Sequence, residues 1–310
     1  MFEAAGNRSG PLRISGVIPT HDRWPMVADA VSSALGQEPA CEVIVVDDGS
    51  SDGTVGRLCE QFGTAIDVVS LDHRGRSAAR NEGVCRATGE FVAFLDSDDL
   101  WLPGKLAKQG ALLARDPGAV MAAGPAFIAD IDRNVDRSST DKHRRWAARF
   151  AREGCGIDAI ARRCPIFTST VMVRRKAFLD IGGFDPTLDV YEDLDLYARL
   201  CTRGHIAWLP EPLSMQRIHG GNTDGKAAIL AEEEFARRQL ARAVAGEYVA
   251  SRRTRARLMD RQLFASYAVR DYCRALSRGF AAARTWPPVV WEYEWWRAMA
   301  AAVVSALLRR

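Results

Sequence analysis

The chain has 310 residues, 47% of them apolar and 26% charged, which excludes a disordered or fibrous protein and leaves room for one large domain with an appendage. A net charge of +3 is too small to argue for nucleic-acid binding. Seven widely spaced cysteines without a C-x-x-C pair argue against a zinc site; they read as small core residues in a reducing, cytoplasmic setting.

Residues 1–11 read as a loose leader with no signal-peptide core. Residues 14–18 form a short apolar strand stopped by Pro19. Residues 25–35 then have helical spacing, with Val27, Ala30, Val31 and Ala34 on one face. Residues 43–46 are continuously β-branched, as in a strand buried on both faces. The Gly- and Asp-rich stretch 47–54 is a turn. A helix over 55–62, a strand over 66–71, a helix over 76–87 and a strand over 90–95 follow. This alternation predicts a parallel sheet covered on both faces.

After residue 100 the pattern loosens. Residues 105–115 read as helix, 121–131 and 167–173 as strands, and 194–200 as a helix. The polar stretch 132–145 lacks periodicity and reads as a loop or flap. Beyond 225 the chain is almost all helix-forming until Pro287-Pro288. The organisation is thus a leader (1–11), an α/β domain (12–224) with a first half (12–103) and a second half (104–224), and a helical C-terminal region (225–310).

Ligands of an open parallel sheet bind outside the carboxyl ends of its strands. Three of the early strands end in polar groups that could serve one site: Pro19-Thr20-His21, Asp47-Asp48 and Asp96-Ser97-Asp98-Asp99. Asp96 and Asp98 crowd a strand end, where carboxylates repel unless a cation sits among them. Hard oxygen ligands suit Mg²⁺ or Mn²⁺. The alternative is an acidic turn in which Asp98 or Asp99 caps the next helix, and Asp99 is assigned that role. Asp48 could meet a ligand or hold the glycine turn, a task Asp47 or Asp52 could equally perform. Arg80 could bind a diphosphate through its planar fork or be an ordinary surface residue. Asp193, before the helix at 194–200, could act as a general base or as a cap.

Taken together these residues resemble an inverting family 2 glycosyltransferase with the GT-A fold. The match runs through residues 17–23, 45–54, Gly75 with 79–83, 94–99, 181–185 and Tyr191-Glu192-Asp193, covering about residues 14–220. The resemblance implies a Rossmann-like, mostly parallel sheet flanked by helices, a metal-dependent inverting transfer, and a nucleotide-sugar donor with uridine as the first choice of base. Asp48 would bind the base, with Pro19, Thr20, His21 and Arg23 lining its pocket, although the family usually has Tyr or Phe where His21 stands. Arg80 would approach the diphosphate, and Asp96 and Ser97 would contact the donor. Asp98 would ligate Mn²⁺ or Mg²⁺, supported by Asp96 and, from the later stretch Arg217-Ile218-His219-Gly220, by His219. Asp193 would deprotonate the acceptor hydroxyl.

The acceptor is expected to be a glycan, a lipid-linked sugar or a small molecule, as in the synthesis of a bacterial cell-surface glycan. A non-catalytic nucleotide-sugar-binding protein on the same fold is the competing reading. A nucleotidyltransferase is a weaker one, since no glycine follows the first strand. The arginine-rich C-terminal third, the aromatic cluster Trp286, Trp291, Tyr293, Trp295 and Trp296, and the apolar run 298–308 fit a helix docked on the core, a homodimer contact or a peripheral contact with the inner face of the cytoplasmic membrane. That run is too short to span a bilayer, which takes about 20 residues.

Overall fold

A computed structural model describes residues 12–220 and, beyond them, residues 234–242, 245, 251, 254–259, 261–262, 272–285 and 299. Its first part alternates strand and helix: β1 (Ile14–Thr20), α1 (Met26–Leu35), β2 (Glu42–Asp47), α2 (Thr54–Phe62), β3 (Asp67–Ser70), α3 (Arg76–Arg86) and β4 (Phe91–Phe94). Then come β5 (Leu100–Trp101), α4 (Lys105–Arg115), β6 (Ala119–Ala123), β7 (Phe127–Ala129), α5 (Arg137–Arg152) and α6 (Ile157–Arg162). The series ends with β8 (Met172–Arg174), α7 (Arg175–Asp180), α8 (Glu192–Leu200), β9 (His205–Trp208) and β10 (Ser214–Arg217).

Among the described residues seven strands form one sheet in the order β3-β2-β1-β4-β8-β6-β9. β8 runs antiparallel to both its neighbours, and the other pairings are parallel. The β-branched run of β2 serves both faces of this sheet. Ile44 and Val46 join Val17 under Ala79 and Val84 of α3. Val43 and Val45 join Ile18 under Val27 and Val31 of α1. Each such side chain, fully buried, contributes roughly 1.5–3 kcal/mol of transfer free energy. A second, three-stranded sheet, β5-β10-β7, sets β10 beside the end of the acidic run.

Glycines permit the close contacts that the site needs. A Cβ on Gly83 would lie 2.4 Å from Cγ1 of Val17 and 3.3 Å from Cγ2 of Val46, so only glycine lets α3 approach the sheet this closely. Two residues before Gly83, and so on the opposite side of the helix, Asn81 exchanges two 2.9 Å hydrogen bonds with the backbone of Phe184, donating to its carbonyl and accepting from its N–H. Gly183 has φ +70°, and a Cβ there would meet Asn81 Oδ1 at 2.5 Å. The Gly-Gly-Phe-Asp stretch is thereby fastened to α3.

The structure corrects several sequence-based expectations. Residues 137–145 of the expected flap belong to helix α5, which is capped by Asp136 accepting from Ser139 N–H. Its inward face is Thr140, His143, Ala147 and Phe150; helical spacing is present, but half of it is carried by polar residues. The strand expected over 121–131 is two strands in different sheets, broken at Gly124-Pro125, where proline cannot donate to a ladder. Within the strand expected over 167–173, Thr168–Thr170 form a 3-10 turn and strand β8 begins only at Met172. Cys59 and Cys85 are exposed, Cys155 is buried, and Cys41, Cys164 and Cys201 are half-buried, all as free thiols.

Described parts of the C-terminal region are helical and dock on the domain through arginines as well as apolar groups. Phe235, Ala236 and Leu258 enter the main core. Arg238 bonds Asp185 and Arg242 bonds Asp195, both at 2.6 Å, while Arg257 donates to the Asp158 carbonyl at 2.8 Å. The aromatic cluster at 286–296 lies outside the described residues, as does the run 298–308 apart from Met299. No helix among the described residues is long and apolar enough to cross a membrane.

Gly83→Ala should lower stability by about 1–3 kcal/mol, the usual cost of overpacking. The midpoint of urea unfolding should fall with an unchanged slope.

Candidate active site

The parallel ladders bring the carboxyl ends of β1, β2 and β4 to one edge of the sheet. Pro19, Thr20, His21, Arg23, Asp48, Arg80, Asp96, Ser97 and Asp98 all line one cavity of about 560 Å³ there, a volume in the usual range for small-molecule sites. Asp99, His73 and Gly75 just before α3, Arg76 and Ala79 on it, Gln216 of β10 and Ile218 just after that strand complete the lining. The side-chain oxygens Thr20 Oγ1 and Gln216 Oε1 are buried without a hydrogen-bond partner among the described residues, which suits polar atoms that meet a ligand.

The two aspartates ending β2 divide their work. Asp47 accepts from Ser50 N–H at 3.1 Å and holds the glycine turn, while Asp52 accepts from Thr54 N–H at 3.0 Å at the start of α2. The Asp48 carboxylate accepts from the N–H groups of Arg74 at 2.6 Å and Gly75 at 2.8 Å. It thus fixes the loop entering α3, and Gly75 meets that demand at φ +88°.

Arg80 is not an ordinary surface residue. Its guanidinium is 4% exposed and donates to Asp96 Oδ1 at 2.6 Å and to Glu192 Oε1 at 2.9 Å. Packed over the Phe184 ring as well, with the centroid 5.1 Å away, it ties the acidic run to the start of α8. The flanking carboxylates raise its pKa further, so it is charged at every working pH.

Asp98 meets His219: Oδ2 and Nε2 stand 2.9 Å apart, with both side chains largely buried. Two ligands on adjacent corners of an octahedral ion, each bonded at about 2.1 Å, lie roughly 3 Å apart. The pair therefore fits Mg²⁺ or Mn²⁺. Among the described residues no three His, Cys, Asp or Glu side chains gather closely enough to cage an ion. A site with few protein ligands is what an ion shared with substrate phosphates requires.

Asp99 departs from expectation. The next helix, α4, is preceded by Gly104 and has no side-chain cap. Asp99 is instead buried, accepting from Ser169 Oγ at 2.5 Å and from Arg217 N–H at 3.1 Å. Burial, followed by the charges of Asp98 and Asp96, pushes its pKa well above the ordinary range. Arg217, 1% exposed, completes the clasp. It donates to the Asp98 carbonyl, to Asp29 Oδ2 at 2.8 Å and to the Met26 carbonyl at 3.1 Å.

Asp193 does not line the cavity. It lies in the first turn of α8, following Tyr191, whose φ of 62° is rare outside glycine. Oδ1 accepts from Leu194 N–H at 2.7 Å. Burial, then the charge of Glu192, raises its pKa to about 7, while Arg80 opposes the rise. Sequence reasoning missed Glu192, Ser169 and Arg217. The first lies inside the quoted Tyr-Glu-Asp motif and could have been paired with Arg80. The other two gave no local signal.

Residues 15–181 match the family model described as glycosyl transferase family 2, and the chain belongs to that family. It is a glycosyltransferase, and its fold is the GT-A fold. It is 32% identical to the succinoglycan biosynthesis protein ExoU of Rhizobium meliloti over 206 residues, covering 63% of this chain and 59% of that protein. It is also 32% identical to the putative teichuronic acid biosynthesis glycosyltransferase TuaG of Bacillus subtilis, over 63% of this chain and 74% of that one. Among solved structures, the mannosyltransferase PcManGT of Pyrobaculum calidifontis, in complex with GDP-Man and Mn²⁺, superposes with a TM-score of 0.60 at 20% identity, covering all of this chain and 91% of the other. S. aureus TarS 1-349 in complex with UDP-GlcNAc gives 0.59 at 18% identity, over 95% and 81%.

Arg217→Lys should not restore what Arg217→Met removes, because one ammonium cannot span three acceptors on two elements. Each should cost about 3–5 kcal/mol in chemical unfolding, the usual penalty for breaking a buried charged network.

Proposed function

We propose that this glycosyltransferase is metal-dependent and inverting, moving a sugar from a nucleoside-diphosphate donor, with uridine as the first choice of base, to an acceptor hydroxyl in the synthesis of a cell-surface glycan. The observation that carries the reading is the meeting of Asp98 and His219 at the cavity lined by the ends of β1, β2 and β4. The nucleotide-sugar ligands of TarS and PcManGT, and the glycan-synthesis names of ExoU and TuaG, support the substrate class.

In this reading Pro19, Thr20, His21, Arg23 and Asp48 form the nucleoside end of the pocket. Asp96, held by Arg80, and Ser97 face the donor further in. Arg80 acts on the diphosphate indirectly, since both its terminal nitrogens are already bonded to carboxylates. Asp98 and His219 would hold Mn²⁺ or Mg²⁺, which supplies charge neutralisation for the departing nucleoside diphosphate. Asp193 takes the proton from the acceptor hydroxyl as that oxygen attacks the anomeric carbon from the face opposite the leaving group. A single displacement of this kind inverts the anomeric configuration and needs no covalent intermediate.

The raised pKa suits this task. A carboxylate titrating near 7 is a stronger base than an ordinary aspartate and is still substantially ionised at neutral pH. Because the base works ionised, kcat/KM should rise with pH and level off above about 7. Glu192→Gln removes a neighbouring negative charge and should move that acid limb to lower pH.

Asp193→Asn should leave donor affinity, measured by calorimetry with UDP-sugar and Mn²⁺, within about threefold of the parent, and should lower transfer by roughly 10²–10⁴. Undiminished transfer would remove Asp193 from the mechanism. Asp98→Ala should abolish the Mn²⁺-dependent part of the thermal shift given by UDP.

A further inference from the structure

We propose that a second cavity, formed where the ends of α7 and α8 meet the C-terminal segment 234–242, binds a phosphate group, free or carried by a small ester. The cavity has a volume of about 380 Å³, and Arg199, Arg203 and Arg242 line it together with Asp180, Ile181 and Ala198. It shares no lining residue with the cavity at the ends of β1, β2 and β4. Arg199 stands two helical turns beyond Glu192, about 10 Å along α8.

Arg199 is fixed on one side and open on the other. It donates from Nε to Asp195 Oδ2 at 2.8 Å and from Nη1 to the Ile181 carbonyl at 2.9 Å. Those bonds set the plane of its fork. Its remaining nitrogen, Nη2, is buried and has no hydrogen-bond partner among the described residues. The Asp195 carboxylate, 1% exposed, also accepts from Arg242 Nη1 at 2.6 Å and from Gln239 Nε2 at 3.1 Å, so it positions two guanidiniums at once. Asp180 is paired with Lys176, which donates to its two oxygens at 2.9 and 2.7 Å. Neither carboxylate engages Arg203, which is exposed at the rim and forms no ion pair among the described residues.

A buried guanidinium N–H without an acceptor is costly, and the oxygen of an anion would relieve it. Arg199 Nη2 and the fork of Arg203 supply donors from two directions, beside the charge of Arg242. A phosphate group has three terminal oxygens, so it can take both donors of one fork and a third N–H from another side chain. A carboxylate has two oxygens and fits the set less completely. The volume leaves room beside the phosphate for the body of a small ester, with Ile181 and Ala198 as an apolar wall.

The test is calorimetry on the full chain with inorganic phosphate, glycerol 3-phosphate and glycerol, in chloride buffer of constant ionic strength. Both phosphates should bind saturably and glycerol should not. The tighter of the two phosphates tells whether the group arrives free or on an ester. Arg203→Gln should weaken both by about tenfold or more, the usual effect of losing hydrogen bonds to a charged group. Arg203→Lys keeps the charge without the fork and should retain part of the affinity. Thermal unfolding without phosphate should be the same for parent and variants, since Arg203 is exposed. Binding that is unchanged in Arg203→Gln would overturn the proposal, as would the absence of saturable binding by either phosphate. In those cases the arginines serve only to clamp the C-terminal segment to α8 through Asp195.

Discussion

The ion triad of Arg80 with Asp96 and Glu192 is the constraint on which the rest of the site depends. It joins the end of β4 to the start of α8, two segments almost a hundred residues apart, through one buried guanidinium. Removing either carboxylate would leave a buried charge short of a partner, a far larger penalty than the loss of a surface ion pair. The same guanidinium opposes the rise in the pKa of the neighbouring Asp193, which burial and the charge of Glu192 still push up to about 7. Asp99 and Asp193 lie buried beside other carboxylates, and both resist ionisation.

Arg217 performs a parallel service from the other sheet. Its fork reaches the main chain of the acidic run and the side chain of Asp29 on α1. Asp99 accepts from its backbone N–H and from Ser169. These bonds bring β10 alongside the run and place His219, two residues further on, against Asp98. The proposed metal ligands therefore meet because two buried arginines and a buried aspartate leave them little freedom to part.

The first half of the fold was legible in the sequence because its signals are local. The β-branched run of β2, the glycine turn after it and the apolar stripe of α1 each announce an element, and the topological rule for strand ends then locates the site. α5 was misread because Thr140 and His143 occupy inward positions that hydrophobic periodicity does not count. The roles of Asp99 and Arg217 stayed hidden for a different reason. Both are defined by partners more than 60 residues away, and a lone polar residue carries no mark of a distant partner. Asp48 was nominated as a ligand contact on its position. The structure adds that its carboxylate holds the α3 loop, which a motif cannot express.

The central claim is that the site performs one displacement, with Asp193 as the proposed base on the far side of the sugar from the leaving nucleoside diphosphate. Proton NMR of donor and product reads this directly from the anomeric coupling constant, recorded early in turnover before any mutarotation. The account predicts that an α-linked donor gives a β-linked product, or the reverse. A product with the donor's own anomeric configuration would contradict it, because a single displacement from the face opposite the leaving group always inverts.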